Sequence, residues 1–230
     1  MTCGGGSPDR GFAALLGPRQ WSALCGAGST RRYRRGQTLL QQGERGGFVL
    51  AVMMGRLRIS ALAQDGGQLL HALRGAGDLV GEMGLRSEAR RTATVVALDD
   101  CTACYVSTDA FERFLVAERA HDALRDYLIA KLSETVPYQL QLVHFTPRQR
   151  IARLLIDVIA LACSTADPLR VPFTQTGIAD ALGLARSTVA EQIAALRAAG
   201  VLVRGRQLVV RDLSRLTRLA GIGGDPEEPL

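Results

Sequence analysis

Two stretches of this 230-residue chain gather groups that could hold phosphate. The first reads GEMGLRSEARRTATVVA, from Gly81 to Ala97, and offers backbone N–H groups from Gly81 to Met83 at the start of a short helix, with arginine close behind. Helix starts attract anions because their first amides lack intrahelical acceptors and the peptide dipoles sum to positive charge there. The second lies near the C-terminus, where seven arginines fall between Arg186 and Arg218 against only Glu191 and Asp212. Arginine presents a planar fork of donors that fits phosphate and guanine in a two-pronged manner. The same side chains would suit a solvated face, and GC-rich coding also favours arginine over lysine, so position has to decide between the readings.

Other chemistry finds less support. The segment Cys101-Thr102-Ala103-Cys104 has a ligand-like spacing, yet it lies in a strand pattern and no second CxxC exists. His71 could ligate haem but reads as an ordinary strand residue, and His121 and His144 fall in or beside a helical segment. No Ser, His and acid set, paired-carboxylate pocket or P-loop can be placed, so no catalytic residue and no metal ligand is assigned, and an enzyme is not expected. The five cysteines, Cys3, Cys25, Cys101, Cys104 and Cys163, are odd in number and scattered, which argues for reduced thiols, with Cys101 and Cys104 in a strand and Cys163 in a core. The longest apolar runs, such as Ile151 to Cys163, are broken by charge, so no membrane span is expected. Met1 to Asp9 carries Gly4, Gly5, Gly6 and Pro8 and reads as a frayed tail instead of a secretory signal, which points to the cytoplasm. The net charge of +6 is almost wholly arginine, Lys131 being the single lysine.

The elements that must position these groups change character along the chain. From Arg31 to Val106, short apolar runs separated by glycine (Thr38 to Gln42, Phe48 to Met53, Leu57 to Leu62, Gln68 to Leu73, Thr94 to Leu98 and Thr102 to Val106) suggest an antiparallel barrel or jelly roll. From Thr108 to Val143 the spacing turns helical, with Leu124, Leu128, Leu132, Val136, Leu140 and Val143 on one side. A stripe this long favours a helix paired with its copy in a second subunit over packing onto the barrel. Pro137 removes a helix hydrogen bond to Ser133, so the helix is expected to kink or end there. Thr146 then reads as an N-cap, with Pro147 at the first helical position of the next element.

Within Thr174 to Ile193, Ile178, Ala179 and Leu182 fall at helical spacing, Gly183 follows, and Val189 and Ile193 continue on the inner face of another helix. This is the grammar of a helix-turn-helix: a small residue where the helices cross, a glycine at the sharp turn, and an apolar residue filling the angle. Val201 to Val203 and Leu208 to Val210, joined by Arg204-Gly205-Arg206, read as a hairpin whose tip could touch phosphate. With the arginine excess around it, this element is expected to bind double-stranded DNA.

In order and spacing the chain resembles the cyclic-AMP receptor and fumarate-nitrate regulator (CRP/FNR) family of transcription regulators over nearly its full length. The resemblance implies an α+β fold: an effector-sensing jelly-roll barrel of the cyclic-nucleotide-binding type over residues 1–117, a dimerisation helix and hinge over 118–145, a winged helix-turn-helix over 146–220 and a disordered tail over 221–230. It further implies that the second helix of the motif lies in the major groove. Arg186, Ser187, Thr188 and Glu191 would stand on its reading face, and Arg204 and Arg206 on the wing. Arginine can take guanine O6 and N7, and glutamate can accept from cytosine N4. Ala185 replaces the usual serine cap, and Gln192 replaces an apolar residue. The Gly81 segment resembles a phosphate-binding cassette, in which Gly81, Glu82 and Met83 would cradle the ligand. Glu82 would bond a ribose hydroxyl, Arg91 would pair with the cyclic phosphate of a nucleotide such as cAMP, and Thr92 would add a donor, while Thr135 and Val136 would face the base. The family's barrel turns would be made at Gly36, Gly43, Gly55 and Gly77. A homodimer on a palindromic operator, working with RNA polymerase, follows from the same resemblance. The alternatives are a member of this family with a non-nucleotide effector, with redox or haem sensing, or with no effector.

Overall fold

The computed structural model of the chain describes residues 9–62, 68–85, 90–162 and 167–221, with side chains given except at 62, 68 and 135–143. A helix α1 (Gly11–Gly26) precedes strands β1 (Ser29–Tyr33), β2 (Thr38–Leu40), β3 (Phe48–Met54), β4 (Leu57–Leu62), β5 (Gln68–Arg74), β6 (Leu79–Val80), β7 (Thr94–Ala97) and β8 (Cys101–Ser107). One antiparallel sheet runs β1-β8-β3-β6 and the other β2-β7-β4-β5. Gly36, Gly43, Gly55 and Gly77 all hold φ between 83° and 93°, a backbone state open to glycine at little cost.

The unbroken apolar run of β3 has a simple cause. Successive strand residues point to opposite faces, and both faces of this sheet are covered. Leu50 and Val52 pack between the sheets with Leu40, Leu57 and Val95, whereas Val49 and Ala51 pack outward with Phe12, Leu24, Phe111 and Tyr127 from the flanking helices. The same alternation divides the CxxC segment: Cys101 belongs to the inner core and Cys104 to the outer one. Two thiols on opposite faces of one strand cannot share a metal ion. Burial pushes the Cys101 thiol up to about 11, and its Sγ donates to Asp99 O at 3.2 Å. Cys3 and Cys163 lie outside the described residues.

After β8 come α2 (Thr108–Ala117), α3 (His121–His144) and α4 (Pro147–Ala160). Of the two outcomes expected at Pro137, a kink or an end, the end is not met, because α3 continues to His144. A proline withdraws one donor, and a helix of this length absorbs the loss. Thr146 and Gln149 form a reciprocal capping box at the start of α4, with Pro147 in the first turn. Then follow β9 (Arg170–Val171), α5 (Gln175–Leu182), α6 (Arg186–Ala198), β10 (Leu208–Val209) and α7 (Leu213–Leu219). The hairpin expected from Val201 to Arg211 is reduced to a single bridge, Leu202 to Val210, because β10 forms its ladder with β9 instead. Helix α1 was not foreseen: Gly17, at φ 73°, and Pro18 break it and obscure the period of Phe12, Trp21 and Leu24, all buried.

The C-terminal helices pack onto the barrel, and their core takes in Leu70 and Leu98 from it. At the centre of the contact sits Arg56, fully buried, with two bonds to the Asp99 carboxylate at 2.5 and 3.1 Å. Its Nη1 donates to Val158 O and Arg170 O at 3.2 and 3.1 Å. A buried guanidinium is tolerated only when its charge and donors are met in this way.

Two outcomes follow. Asp99→Ala strands the Arg56 charge and should cost about 3–5 kcal/mol in urea unfolding; an unchanged midpoint would contradict the pairing. Asp157 on α4 is pushed up to about 6, by burial first, with Arg153 opposing. Its folded pKa lies above the unfolded value of about 3.9, so the native state holds the extra proton between these values, and stability falls as pH rises from about 4 to 6. Asp157→Asn should therefore add about 1–3 kcal/mol at pH 8 and almost nothing at pH 4, read from urea midpoints at both values.

Candidate functional site

Strand β6 delivers the chain into Gly81, at φ 91°, and a single 3-10 turn over Glu82–Gly84. A side chain at Gly81 would put its Cβ 2.7 Å from Arg91 Nη1 and 3.2 Å from Phe48 O, so both backbone shape and space demand glycine. Arg91 fills that space. Its Nη1 donates to Gly81 O at 2.7 Å and its Nη2 to Phe48 O at 2.9 Å, with the guanidinium over the Phe48 ring. Both acceptors are neutral, so burial lowers the Arg91 pKa, with Glu82 and Glu44 opposing at longer range. An anion brought to this guanidinium would offset its desolvation.

Glu82 is also buried, and its two oxygens differ. Oε1 accepts from Lys131 Nζ at 2.6 Å, while Oε2 is sealed from solvent without a hydrogen-bond partner. Lys131 donates to Leu79 O at 3.0 Å as well, and burial lowers its pKa against the pull of Glu82. One turn earlier on α3, Tyr127 OH accepts from the Leu79 amide at 2.9 Å and donates toward Asp78 Oδ1 at 3.2 Å. One turn later, Glu134 accepts from Arg74 Nη1 at 2.8 Å. A single face of α3 is thus laid along the end of β5, β6 and the Glu82 turn by Tyr127, Lys131 and Glu134.

Gly81, Glu82, Met83, Arg91 and Thr92 line one cavity together with Lys131. Its volume is ≈ 60 Å³, against roughly 300–1,000 Å³ for small-molecule sites, so a nucleotide requires the walls to part. The donor set fits such a ligand: the orphaned Glu82 Oε2 needs a hydroxyl donor, and Arg91 needs an anion. Thr135 and Val136 lie on α3, but their side chains are outside the described residues. Lys131 was missed as a site residue from sequence, although the single lysine in an arginine-rich chain, one turn before Thr135, was a signal.

At the other end, α5 and α6 meet at Gly183, at φ 59°. Ala179, Val189 and Ile193 are buried at the crossing. Arg186, Ser187 and Glu191 face solvent from α6, with Thr188 half-buried at their edge, and Arg204 and Arg206 are exposed beside them. Arg197 at the end of α6 holds the wing by donating to Gly205 O at 2.7 Å. Gln192, half-buried, accepts from Arg148 Nε of α4 at 3.0 Å, which accounts for a polar residue at that position. Ala185 gives α6 no side-chain cap.

Residues 30–118 match the model of the cyclic nucleotide-binding domain, and residues 149–219 that of the Crp-like helix-turn-helix domain. The chain belongs to the CRP/FNR family of transcription regulators. Among its family relatives, the transcriptional activator protein FnrL of Cereibacter sphaeroides is 29% identical over 210 residues, covering 87% of this chain and 84% of that protein. A CRP-like cAMP-activated global transcriptional regulator of Mycobacterium tuberculosis is 26% identical, covering 82% and 86%. The solved structure of a CRP-family transcriptional regulator from Thermus thermophilus superposes with a TM-score of 0.64 at 26% identity, covering 83% of this chain and 96% of that one. The CRP/FNR chain described here is accordingly a DNA-binding transcription regulator, as its relatives are, and not an enzyme. None of its described helices is long and apolar enough to cross a membrane.

If Glu82 and Lys131 neutralise each other, each single substitution, Glu82→Gln or Lys131→Met, should lower barrel stability by about 3 kcal/mol, since each leaves its partner buried and less well paired. The double variant should lose clearly less than the sum. Additive losses in a urea double-mutant cycle would refute the coupling.

Proposed function

We propose that this regulator is a homodimer, paired through α3, that reads a palindromic operator and is controlled by a cyclic nucleotide, of which cAMP is the first to test, bound in the cavity between Glu82 and Arg91. The observation that carries the effector reading is the pairing of two needs in one cavity: among the described residues, a buried carboxylate oxygen finds no donor and a buried guanidinium donates to neutral carbonyls. A ribose hydroxyl and a cyclic phosphate would meet both. The ligand reading is also supported by the M. tuberculosis relative, described as cAMP-activated. In the resulting mechanism Gly81 to Met83 cradle the phosphate, Arg91 neutralises it, Thr92 adds a hydroxyl, and Thr135 and Val136 stand on the helix facing the base. Opening the cavity disturbs the Glu82–Lys131 contact and so shifts α3, the element that leads to the DNA-binding helices.

The dimer reading rests on Ile129 and Leu132, which are 54% and 63% exposed on α3 while Tyr127 and Lys131 point to the barrel. The stripe expected from Leu124 to Val143 winds around the helix. Leu124 packs against the barrel core, Leu132 lies free, and Val136, Leu140 and Val143 have side chains outside the described residues. A free apolar face on a helix is covered by a second copy when operators have two-fold symmetry. RNA polymerase would then be contacted by the DNA-bound dimer.

Light scattering should give about twice the 24.7 kDa chain mass; a monomer that binds a palindrome with full affinity would reject the pairing. Calorimetric titration with cAMP and cGMP should show binding that Arg91→Ala weakens by ~2 kcal/mol or more. Unchanged titration of the variant, or no binding to wild type, would reject the effector assignment. On DNA, Arg186→Ala should lose discrimination at one base pair per half-site, worth about 1–3 kcal/mol. Arg204→Ala should weaken all sequences alike and flatten the salt dependence by about one unit. If the two variants exchanged these effects, the roles of reader and clamp would be reversed.

A further inference from the structure

A second cavity, ≈ 380 Å³ in volume, lies where the barrel meets the DNA-binding helices, and it shares no residue with the Glu82–Arg91 pocket. Three arginines line it: Arg35, from the turn between β1 and β2, Arg170 of β9, and Arg206 of the wing. No carboxylate is among the lining residues that are described. Two acids are bonded to this lining from behind it. Asp99 accepts two bonds from Arg56 and one from Arg170 Nη2 at 3.3 Å, and Asp100 Oδ1 accepts from the Arg35 amide at 2.9 Å. Arg35 Nη2 spends one donor on Pro172 O at 3.0 Å, which anchors the side chain across the domain boundary and leaves the rest of its fork available. The floor is apolar, formed by Val171, Phe173 and Leu208.

We infer that this cleft is a phosphate-binding site that ties the barrel to the DNA-binding domain. Three arginines share this lining and only Arg170 has a carboxylate, Asp99, behind it, so a multiply charged oxyanion would offset the remaining charge while accepting the two-pronged bonds that guanidinium offers. Because Arg35 comes from one domain and Arg170 and Arg206 from the other, a bound phosphate fastens the two together. The phosphate has two sources: a free phosphorylated small molecule, whose apolar part would rest on Phe173 and Leu208, or the DNA backbone beside the wing. The first source stands independently of the operator reading, and the second rests on it.

Titration of the full-length protein with inorganic pyrophosphate in the absence of DNA decides the first source. Wild type should bind pyrophosphate, with Arg35→Ala and Arg206→Ala each weakening binding at least tenfold and Arg113→Ala, at an exposed arginine of α2, leaving it unchanged. The second source is read from DNA affinity against salt. Arg35→Ala should flatten the log-log slope by about one unit if a backbone phosphate fills the cleft. Arg206 is exposed and its variant should match the wild-type thermal transition, while Arg35→Lys, which keeps a donor for Pro172 O, controls for the lost anchor at position 35. A change in the pyrophosphate reading assigns a free ligand, and a change in the slope alone assigns DNA. If neither reading moves in either variant, the proposal is overturned. Should wild type fail to bind DNA at all, the operator reading falls, and the pyrophosphate titration alone decides the site.

Discussion

Burying a carboxylate beside an ammonium group under the cassette is the constraint on which the effector half of the molecule depends. Glu82 and Lys131 are each too costly to desolvate alone, and each is tolerated because the other is 2.6 Å away. Lys131 belongs to α3, so the pair welds the cassette turn to the helix that continues toward the DNA-binding domain. Tyr127 and Glu134 extend the weld by one turn in each direction. Any group that competes for Glu82 acts on the helix by the same bond, which makes the pocket and the helix one mechanical unit.

The DNA-binding half is held to the barrel by different chemistry. Its contact is apolar around Leu70 and Leu98 and electrostatic at Arg56, whose four bonds are divided between a barrel carboxylate and two carbonyls of the other domain. Directional bonds of this kind fix orientation more than they add stability, since a buried ion pair returns little beyond its own desolvation. The domains can therefore be set at a defined angle without being cemented together.

Much of this was legible in the sequence because the relevant signals are local. Turn glycines, the Thr146 and Pro147 helix start, the Gly183 turn and the Gly81 cassette each announce themselves within a few residues, and all occur where expected. What escaped was non-local. Strand β6 is two residues long and owes its existence to its partner β3, and β10 pairs with β9, which lies far upstream across two helices, over its neighbour in the hairpin. Lys131 and Arg56 read as ordinary surface charges until the fold sets them against Glu82 and Asp99. Helix α1 was hidden by a glycine and a proline in its middle, where a break in φ interrupts the period without ending the element.

The bare start of α6 has a consequence for how the protein spends its affinity. With alanine at position 185 the first amides of the reading helix find no side-chain acceptor, and an absent cap costs a helix about 1 kcal/mol. A DNA phosphate is well suited to supply that missing acceptor. Part of the attraction to any duplex is then repair of the helix itself, a contribution indifferent to base sequence. A regulator built this way gains residence on DNA at large, and under the proposed operator reading Arg186 and Glu191 would decide where that residence ends.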